Sequence, residues 1–266
     1  MVRFSILDPT GNITALVTDE VAPAAYTETA AAIMAAHPEV EQVGYVRLDW
    51  EQPSLCMAGG EFCGNATMSA AALYADAKGL EKACLRLRVS GAEEPVEVAL
   101  QKEEGCYTGK VVMPPVKAVT MHPFACMHLQ GDLPVVEMQG ISHAVVEEES
   151  VFYHLLEQKE NAEKTIRQWC RELAADGLGL MFLKEEADGY ALQPLVYIPS
   201  GETVFWESSC ASGSACTAVY LERKNHRETP CTLKEPGGSL TVSIRRKDGR
   251  AVLGGHIRLV GSFSID

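Results

Sequence analysis

Apolar and polar residues alternate over residues 2–6, the two-residue period of a half-buried strand. Pro9-Thr-Gly-Asn12 interrupts with turn-forming residues, and residues 13–18 read as the return strand. Over residues 23–37 apolar positions, mostly alanine, recur at helical spacing. Pro23 suits a first helical position and Pro38 ends the run. A strand is expected at 43–48. Residues 54–60 then lead into Cys63, and a helix over 64–78 stops at Gly79. Strands follow at 85–89, 96–100 and 107–113, before the boundary signal Pro114-Pro115.

The second half opens with a stretch, 122–134, that reads as irregular. A short strand at 135–138 ends at Gly140, and His143 begins the next apolar run. Residues 157–175 form an amphipathic helix with a solvated charged face, closed by Gly177 and Gly179. Strands are expected at 180–183, 192–198 and 204–207, the last running into Cys210. The tail from Gly255 reads as a strand, 256–260, that returns to the first half. The pattern predicts an α/β (α+β) fold of two domains. One spans 1–115 with 256–266 returning to it, the other 116–255, and each is a mostly antiparallel sheet around one prominent helix.

The halves echo one another. Glu61-Phe-Cys63-Gly-Asn-Ala-Thr67 and Glu207-Ser-Ser-Cys210-Ala-Ser-Gly-Ser-Ala-Cys216 each set a cysteine before turn-tolerant residues and an Ala-rich run. Cys84 and Cys231 stand 21 positions after Cys63 and Cys210, with Tyr74 and Tyr220 at nearly matched offsets. A glycine turn and an alternating strand come next in both, at 96–100 and 240–244. A repeat 147 residues long is too long for a solenoid and points to two related domains. A cysteine at a helix N-terminus faces unpaired N–H groups and the positive dipole end. That setting is expected to lower both thiols to about 3.5–7.5 from about 8.5.

Composition narrows the setting. The 266 residues are 47% hydrophobic, with no apolar run near the roughly 18 residues a bilayer requires. Met-Val-Arg-Phe-Ser-Ile-Leu-Asp reads as a strand rather than a secretory signal. A formal net charge of −13 argues against nucleic acid or anionic membrane as partner. Nine cysteines without a C-x-x-C pair fit a reducing, cytoplasmic setting with free thiols.

Several chemistries fit poorly. His122, Cys126 and His128 come nearest to zinc-ligand spacing but lack a second cluster, so no metal is expected. Gly59-Gly60-Glu61-Phe62-Cys63-Gly64 is not a dinucleotide fingerprint. A Cys210–His143 hydrolase stays open but leaves Cys63 without a task. Two poised thiols account for both motifs. One takes a proton from carbon and the other returns one to the opposite face, while helix N-termini hold the substrate carboxylate. No cofactor is then required.

These motifs resemble the diaminopimelate epimerase-like superfamily of cofactor-independent amino-acid racemases and epimerases. Cys63-Gly64-Asn65-Ala66 matches its first cysteine motif, and Cys210-Ala211-Ser212-Gly213 its second, with Ala for the first Gly. Gly11-Asn12, Gly140-Ile141-Ser142-His143 and Trp206-Glu207 follow the family's remaining segments in order. The resemblance implies two pseudo-symmetric domains, each a sheet wrapped around a central helix. It implies Cys63 and Cys210 as the acid–base pair. Gly64, Asn65, Ala211 and Ser212 would bind the substrate carboxylate, and Asn12, His143 and Glu207 would hold the α-amino group or line the pocket.

The departures bear on the substrate. Diaminopimelate epimerases carry Arg after the Trp-Glu pair and Asn-Pro before the histidine. Here Ser208-Ser209 and Ile141-Ser142 stand in those places. A site built for a charged distal end loses that recognition with its donors. The expected partner is therefore a small molecule, a single-headed amino acid, with histidine the first choice and homodimerisation left open. The alternatives are a diaminopimelate epimerase, a phenazine-biosynthesis-like isomerase and a non-catalytic amino-acid-binding protein on this fold. Both cysteines being present favours racemisation over the dehydration of related hydroxyproline enzymes.

Overall fold

The computed structural model describes residues 1–48, 52–225 and 230–266. The chain divides into two compact units, one of residues 1–113 with 252–266 and one of 114–251.

In the first unit the order is β1 (Val2–Pro9), β2 (Thr14–Val17), α1 (Tyr26–Ala36), β3 (Gln42–Arg47), β4 (Ser54–Met57), α2 (Gly64–Ala77), β5 (Lys82–Val89), β6 (Val96–Glu103) and β7 (Cys106–Val112). A short 3₁₀ turn, Pro23–Ala25, precedes α1. Pairing runs antiparallel β1–β2, parallel β2–β3, antiparallel β3–β4, parallel β4–β5, then antiparallel β5–β6–β7. The C-terminal strand, Arg250–Ile265, pairs with β7 from Val252 to Ile257 and with β1 from Ile257 to Ile265. That pairing closes the unit into an eight-stranded barrel, which removes free edges.

A helix inside a small barrel has room only for small side chains. α2 answers with Ala66, Ala70, Ala71, Ala72 and Ala75, all buried, and packs against β1, β2 and β4 to β7. Gly109 lets β7 pass close to it, since a Cβ there would sit 3.2 Å from Met68 Sδ and 2.6 Å from Ile257. α1 covers the outside with Ala30 and Ile33 over Phe4, Ile6, Val17 and Tyr45.

The second unit contains β8 (Ala118–Cys126), β9 (Leu129–Met138), β10 (Ile141–Glu147), α3 (Lys159–Glu172), β11 (Leu178–Glu186), β12 (Gly189–Ile198), β13 (Thr203–Trp206), α4 (Ala211–Asn225), β14 (Cys231–Glu235) and β15 (Gly238–Arg245). The C-terminal strand just described is β16. Pairing runs antiparallel β8–β9–β10, parallel β10–β11, antiparallel β11–β12, parallel β12–β14 and antiparallel β14–β15, with β13 on β12. α3 lays Ala162, Ile166 and Trp169, one helical face, onto a core of Phe124, Val146, Leu180 and Phe182. α4 packs on β9, β10, β11 and β15.

Residues 122–134, expected to be irregular, form the β8–β9 hairpin instead. β8 ends the strand order, and Pro123 pairs with Asp132 there, on an edge where a missing N–H is tolerated. Pro134 pairs with Met121 but lies beyond the β9–β10 register, which covers 135–138 of β9. β4 and β14 also exceed the expectation.

Candidate active site

α2 begins at Cys63, an N-cap residue with extended backbone (φ −131°, ψ 118°). Its sulfur turns back and accepts the Ala66 N–H at 3.4 Å, the position a Ser or Asp oxygen takes at an ordinary cap. The Thr67 hydroxyl donates to the Cys63 carbonyl at 2.6 Å. The residues before Cys63 are held by the turn after β5. Ser90 Oγ donates to the Glu61 carbonyl at 2.8 Å and accepts the Met57 N–H at 2.9 Å. Gly91 has φ +69°, and a Cβ there would lie 2.3 Å from Phe62 N, so glycine is required. Burial pushes the Glu61 carboxyl above its ordinary range, against the backbone N–H groups of Glu61 and Gly59 that it accepts. Cys63 itself is half-buried.

Asn12 and Asn65 meet beside this helix start, both buried. Asn65 Nδ2 donates to Asn12 Oδ1 at 3.3 Å, and Gln42 Nε2 donates to the same oxygen at 2.5 Å. Asn12 Nδ2 donates to Glu41 Oε2 at 2.7 Å. Sequence reading named Asn12 and Asn65 but passed over Glu41 and Gln42, which carry no signal beyond a polar strand start. Gly64 opens the first turn, where amides have no intrahelical acceptor.

In the second unit Cys210 immediately precedes α4, and the nearby Gly213 N–H favours its thiolate. Ser212 Oγ lies 3.7 Å from Cys210 Sγ and 3.1 Å from His143 Nε2. His143 is 0% exposed, and its Nδ1 has no hydrogen-bond partner among the described residues. Burial pushes its pKa down to about 3, so the ring is neutral with one N–H. A proton on Nδ1 would leave a buried N–H unmatched, whereas a bare Nδ1 lone pair costs less. The proton therefore sits on Nε2 and is donated to the Ser212 hydroxyl.

Cys210 is 6% exposed, and its thiol is raised well above the ordinary value. Burial is the largest cause. The charges of Glu207 and Glu235 follow, then the hydrogen bond between the thiol and the Glu207 carboxylate. The lowering expected for a thiol at a helix start survives only as the smaller pull of the Gly213 N–H. Burial and the neighbouring Glu207 and Glu235 carboxyl groups outweigh it. Glu207 is fixed by its N–H to the Pro194 carbonyl at 3.1 Å and by Gln193 Nε2 to its own carbonyl at 3.4 Å. Ala211 and Ser212 supply the first two helical amides of α4. Glu235 and Ser214 were not foreseen. His122, Cys126 and His128 do not gather, and among the described residues no three His, Cys, Asp or Glu side chains form a metal-binding group.

The structure thus brings Asn12, Cys63, Gly64 and Asn65 together in one unit, and His143, Glu207, Cys210, Ala211 and Ser212 together in the other. Residues 1–265 match the family model described as the histidine racemase CntK N-terminal domain. A histidine racemase from Staphylococcus aureus is 30% identical over 255 residues, covering 92% of this chain and 89% of that protein. One from Fusobacterium nucleatum is 26% identical over 255 residues, covering 92% and 90%. Among solved structures, a probable proline racemase from Agrobacterium radiobacter has a TM-score of 0.74 at 11% identity, covering 100% of this chain and 93% of that one. A hydroxyproline epimerase from Agrobacterium vitis has a TM-score of 0.66 at 12% identity, covering 100% and 91%.

Proposed function

The chain belongs to the histidine racemase CntK N-terminal domain family, and from that premise we propose that it interconverts L- and D-histidine by two-thiol proton transfer at Cα. It is an isomerase of the amino-acid racemase and epimerase kind. Histidine as substrate rests on the curated relatives, all histidine racemases, and on the missing distal donors at Ser208-Ser209 and Ile141-Ser142.

In this reading the Cys63 thiolate removes the Cα proton, and the C–H electron pair moves into the substrate carboxylate. The Cys210 thiol then delivers its proton to the opposite face of the carbon, leaving Cys63 as thiol and Cys210 as thiolate. Turnover of the other enantiomer runs the same steps backward. Proton transfer of this kind contributes about 10²–10⁴-fold each way. The observation that carries the assignment is a cysteine at the start of each of two helices, Cys63 with its sulfur on the Ala66 N–H and Cys210 with its sulfur beside the Ser212 hydroxyl and the Gly213 N–H. That leaves the amides of Gly64, Asn65, Ala211 and Ser212 as the carboxylate-binding donors. The raised Cys210 thiol marks it as the acid in the resting enzyme, with Glu207 as the group that holds its proton.

His143, fully buried, is assigned to orienting Ser212 rather than to the substrate amino group. Asn12 and Asn65, linked to Glu41 and Gln42, are the polar groups for the substrate's amino group and side chain. No pyridoxal phosphate or metal enters this mechanism. Both units are read as copies of one design, since α2 follows an antiparallel pair and precedes a parallel crossover in the first as α4 does in the second. Nine free thiols fit a reducing compartment.

The test is chiral chromatography of purified protein with L-histidine, LL-diaminopimelate and L-proline separately, without added cofactor. D-histidine should form fastest. Faster turnover of diaminopimelate would overturn the substrate, and no stereochemical change in any would overturn the mechanism.

A further inference from the structure

In a capping box the side chain at the third helical position reaches back to the backbone N–H of the cap residue. At α4 that third position is Gly213, which has no side chain. A side chain there would have to displace its neighbours, because a Cβ would lie 2.2 Å from Met181 Sδ and 3.1 Å from Cys210 Sγ. The missing carboxyl comes from elsewhere in the chain. Glu235, at the end of β14 and 7% exposed, accepts the Cys210 N–H on Oε2 at 2.5 Å. Its other oxygen, Oε1, is hydrogen-bonded to the Ser214 hydroxyl in the first turn of α4. The turn that follows Glu235 adds a third tie, from Gly237 N–H to the Ser208 carbonyl at 2.8 Å. The segment that presents Cys210 is thus bound at three points to the β14–β15 turn.

We infer that Glu235 is a positioning residue for Cys210: its carboxyl group anchors the Cys210 backbone, and its charge sets how readily the Cys210 thiol gives up a proton. Among the described residues, the groups acting on Glu235 are Ser214 of α4 and, from the segment before it, Cys210 and Glu207. Across the β14–β15 ladder it faces Gly238, which has no side chain. Its neighbour Lys234 is turned away to Glu186 and Asp188. Burial pushes Glu235 up to about 8, against the Ser214 hydroxyl and Cys210 N–H that favour its charged form, and the Glu207 charge adds to the rise. Below that pH the group is a neutral acid and Cys210 faces one carboxylate, Glu207. Above it a second negative charge sits against the Cys210 backbone, and the thiol becomes harder to ionise. A thiol that cannot alternate with its thiolate stalls turnover, so racemisation should fall on the alkaline side as Glu235 ionises.

The inference rests on Cys210 taking part in proton transfer, and its test reads the thiol itself as well as turnover. Glu235→Gln keeps an oxygen for the Cys210 N–H and offers an N–H to Ser214 Oγ, yet it cannot ionise. Alkylation of Cys210 by iodoacetamide, followed by peptide mass spectrometry from pH 6 to 10.5, needs no substrate. In Glu235→Gln the Cys210 profile should move down by at least about one pH unit, and the alkaline limb of kcat should move up. Glu235→Ala should lose activity at every pH, which glutamine would largely restore. Ser214→Ala, which removes a donor favouring the charged carboxyl, should also move the alkaline limb up, and it serves if the glutamine variant does not fold. Identical Cys210 alkylation profiles and alkaline limbs in wild type, Glu235→Gln and Ser214→Ala would overturn the proposal. Wild-type protein with no racemase activity but a shifted Cys210 profile in Glu235→Gln would refute the reaction and leave the coupling standing.

Discussion

The starts of α2 and α4 use one local device and give their cysteines different company. At both, a cysteine stands at the helix start with its sulfur turned toward the first turn, and a turn between two later strands fastens the residues just upstream. Around Cys63 that turn contributes the Ser90 hydroxyl, and nearby polar groups include Asn12, Asn65 and Thr67. Glu61 spends its carboxyl on backbone N–H groups of its own turn. Around Cys210 the corresponding turn contributes Glu235, and Glu207 adds a second carboxyl. The lesson is that a helix N-terminus does not by itself fix a thiol's protonation. Burial and two acids outweigh the dipole's pull at Cys210.

The largest effects should come from the sulfurs themselves. Cys63→Ser and Cys210→Ser should each lower kcat/KM by about a thousand-fold or more, since a serine hydroxyl is too weak an acid to alternate with its anion. Circular dichroism should be unchanged, and Cys84→Ser, at an exposed strand position, should match wild type. Near-native rates in either serine variant would dissolve the comparison.

Next in size is the third helical position, where the two sites differ by one methyl group. Gly213→Ala forces a Cβ into Met181 and the Cys210 sulfur. It should cost about 1–3 kcal/mol in urea unfolding and about a hundred-fold in rate. The reciprocal Ala66→Gly should cost only about 1 kcal/mol, from backbone entropy. Equal penalties at the two positions would mean that sulfur packing does not distinguish them.

Several of these features were open to inspection in the chain, and others were not. The helix over 64–78 appears as Gly64–Ala77 because its cap residue, alanine run and Gly79 stop are all local signals. The β8–β9 hairpin was hidden by Pro123 and Pro134, whose tolerance depends on which strand edge they occupy. Glu235 was the least legible. Lys-Glu-Pro-Gly-Gly looks like a solvated turn, and only the approach of α4 to that turn makes its carboxyl a buried cap. Glu41 and Gln42 were missed for the same reason, since their partner Asn12 is about thirty positions away.

His143 gives a smaller, pH-dependent effect peculiar to the second unit. Its folded pKa of about 3 lies below its unfolded value, so between about pH 6.5 and 3 the unfolded chain binds a proton the native one does not. Wild type should therefore lose stability relative to His143→Gln as pH falls from 6.5, by about 1.4 kcal/mol per pH unit. Urea unfolding at pH 6.5, 5.5 and 4.5 reads the difference, and a constant gap would place a charged or exposed imidazole there. Smallest of all should be the contrast in reactivity. At pH 7.5 iodoacetamide should label the half-buried Cys63 several-fold to about ten-fold faster than Cys210, and the reverse order would make Cys210 the resting thiolate.

The two-thiol account is tested most directly by carrying out the reaction on L-histidine in deuterium oxide, stopped early and resolved by chiral chromatography with mass spectrometry. In the proposed mechanism one thiol removes the substrate proton and a different, solvent-exchanged thiol supplies the new one. The D-histidine formed should therefore carry deuterium at Cα, while the L-histidine recovered at low conversion stays protiated. Deuterium appearing equally in both enantiomers from the first turnovers, or D-histidine retaining the original proton, would mean that a single base serves both faces and would contradict the pairing of Cys63 with Cys210.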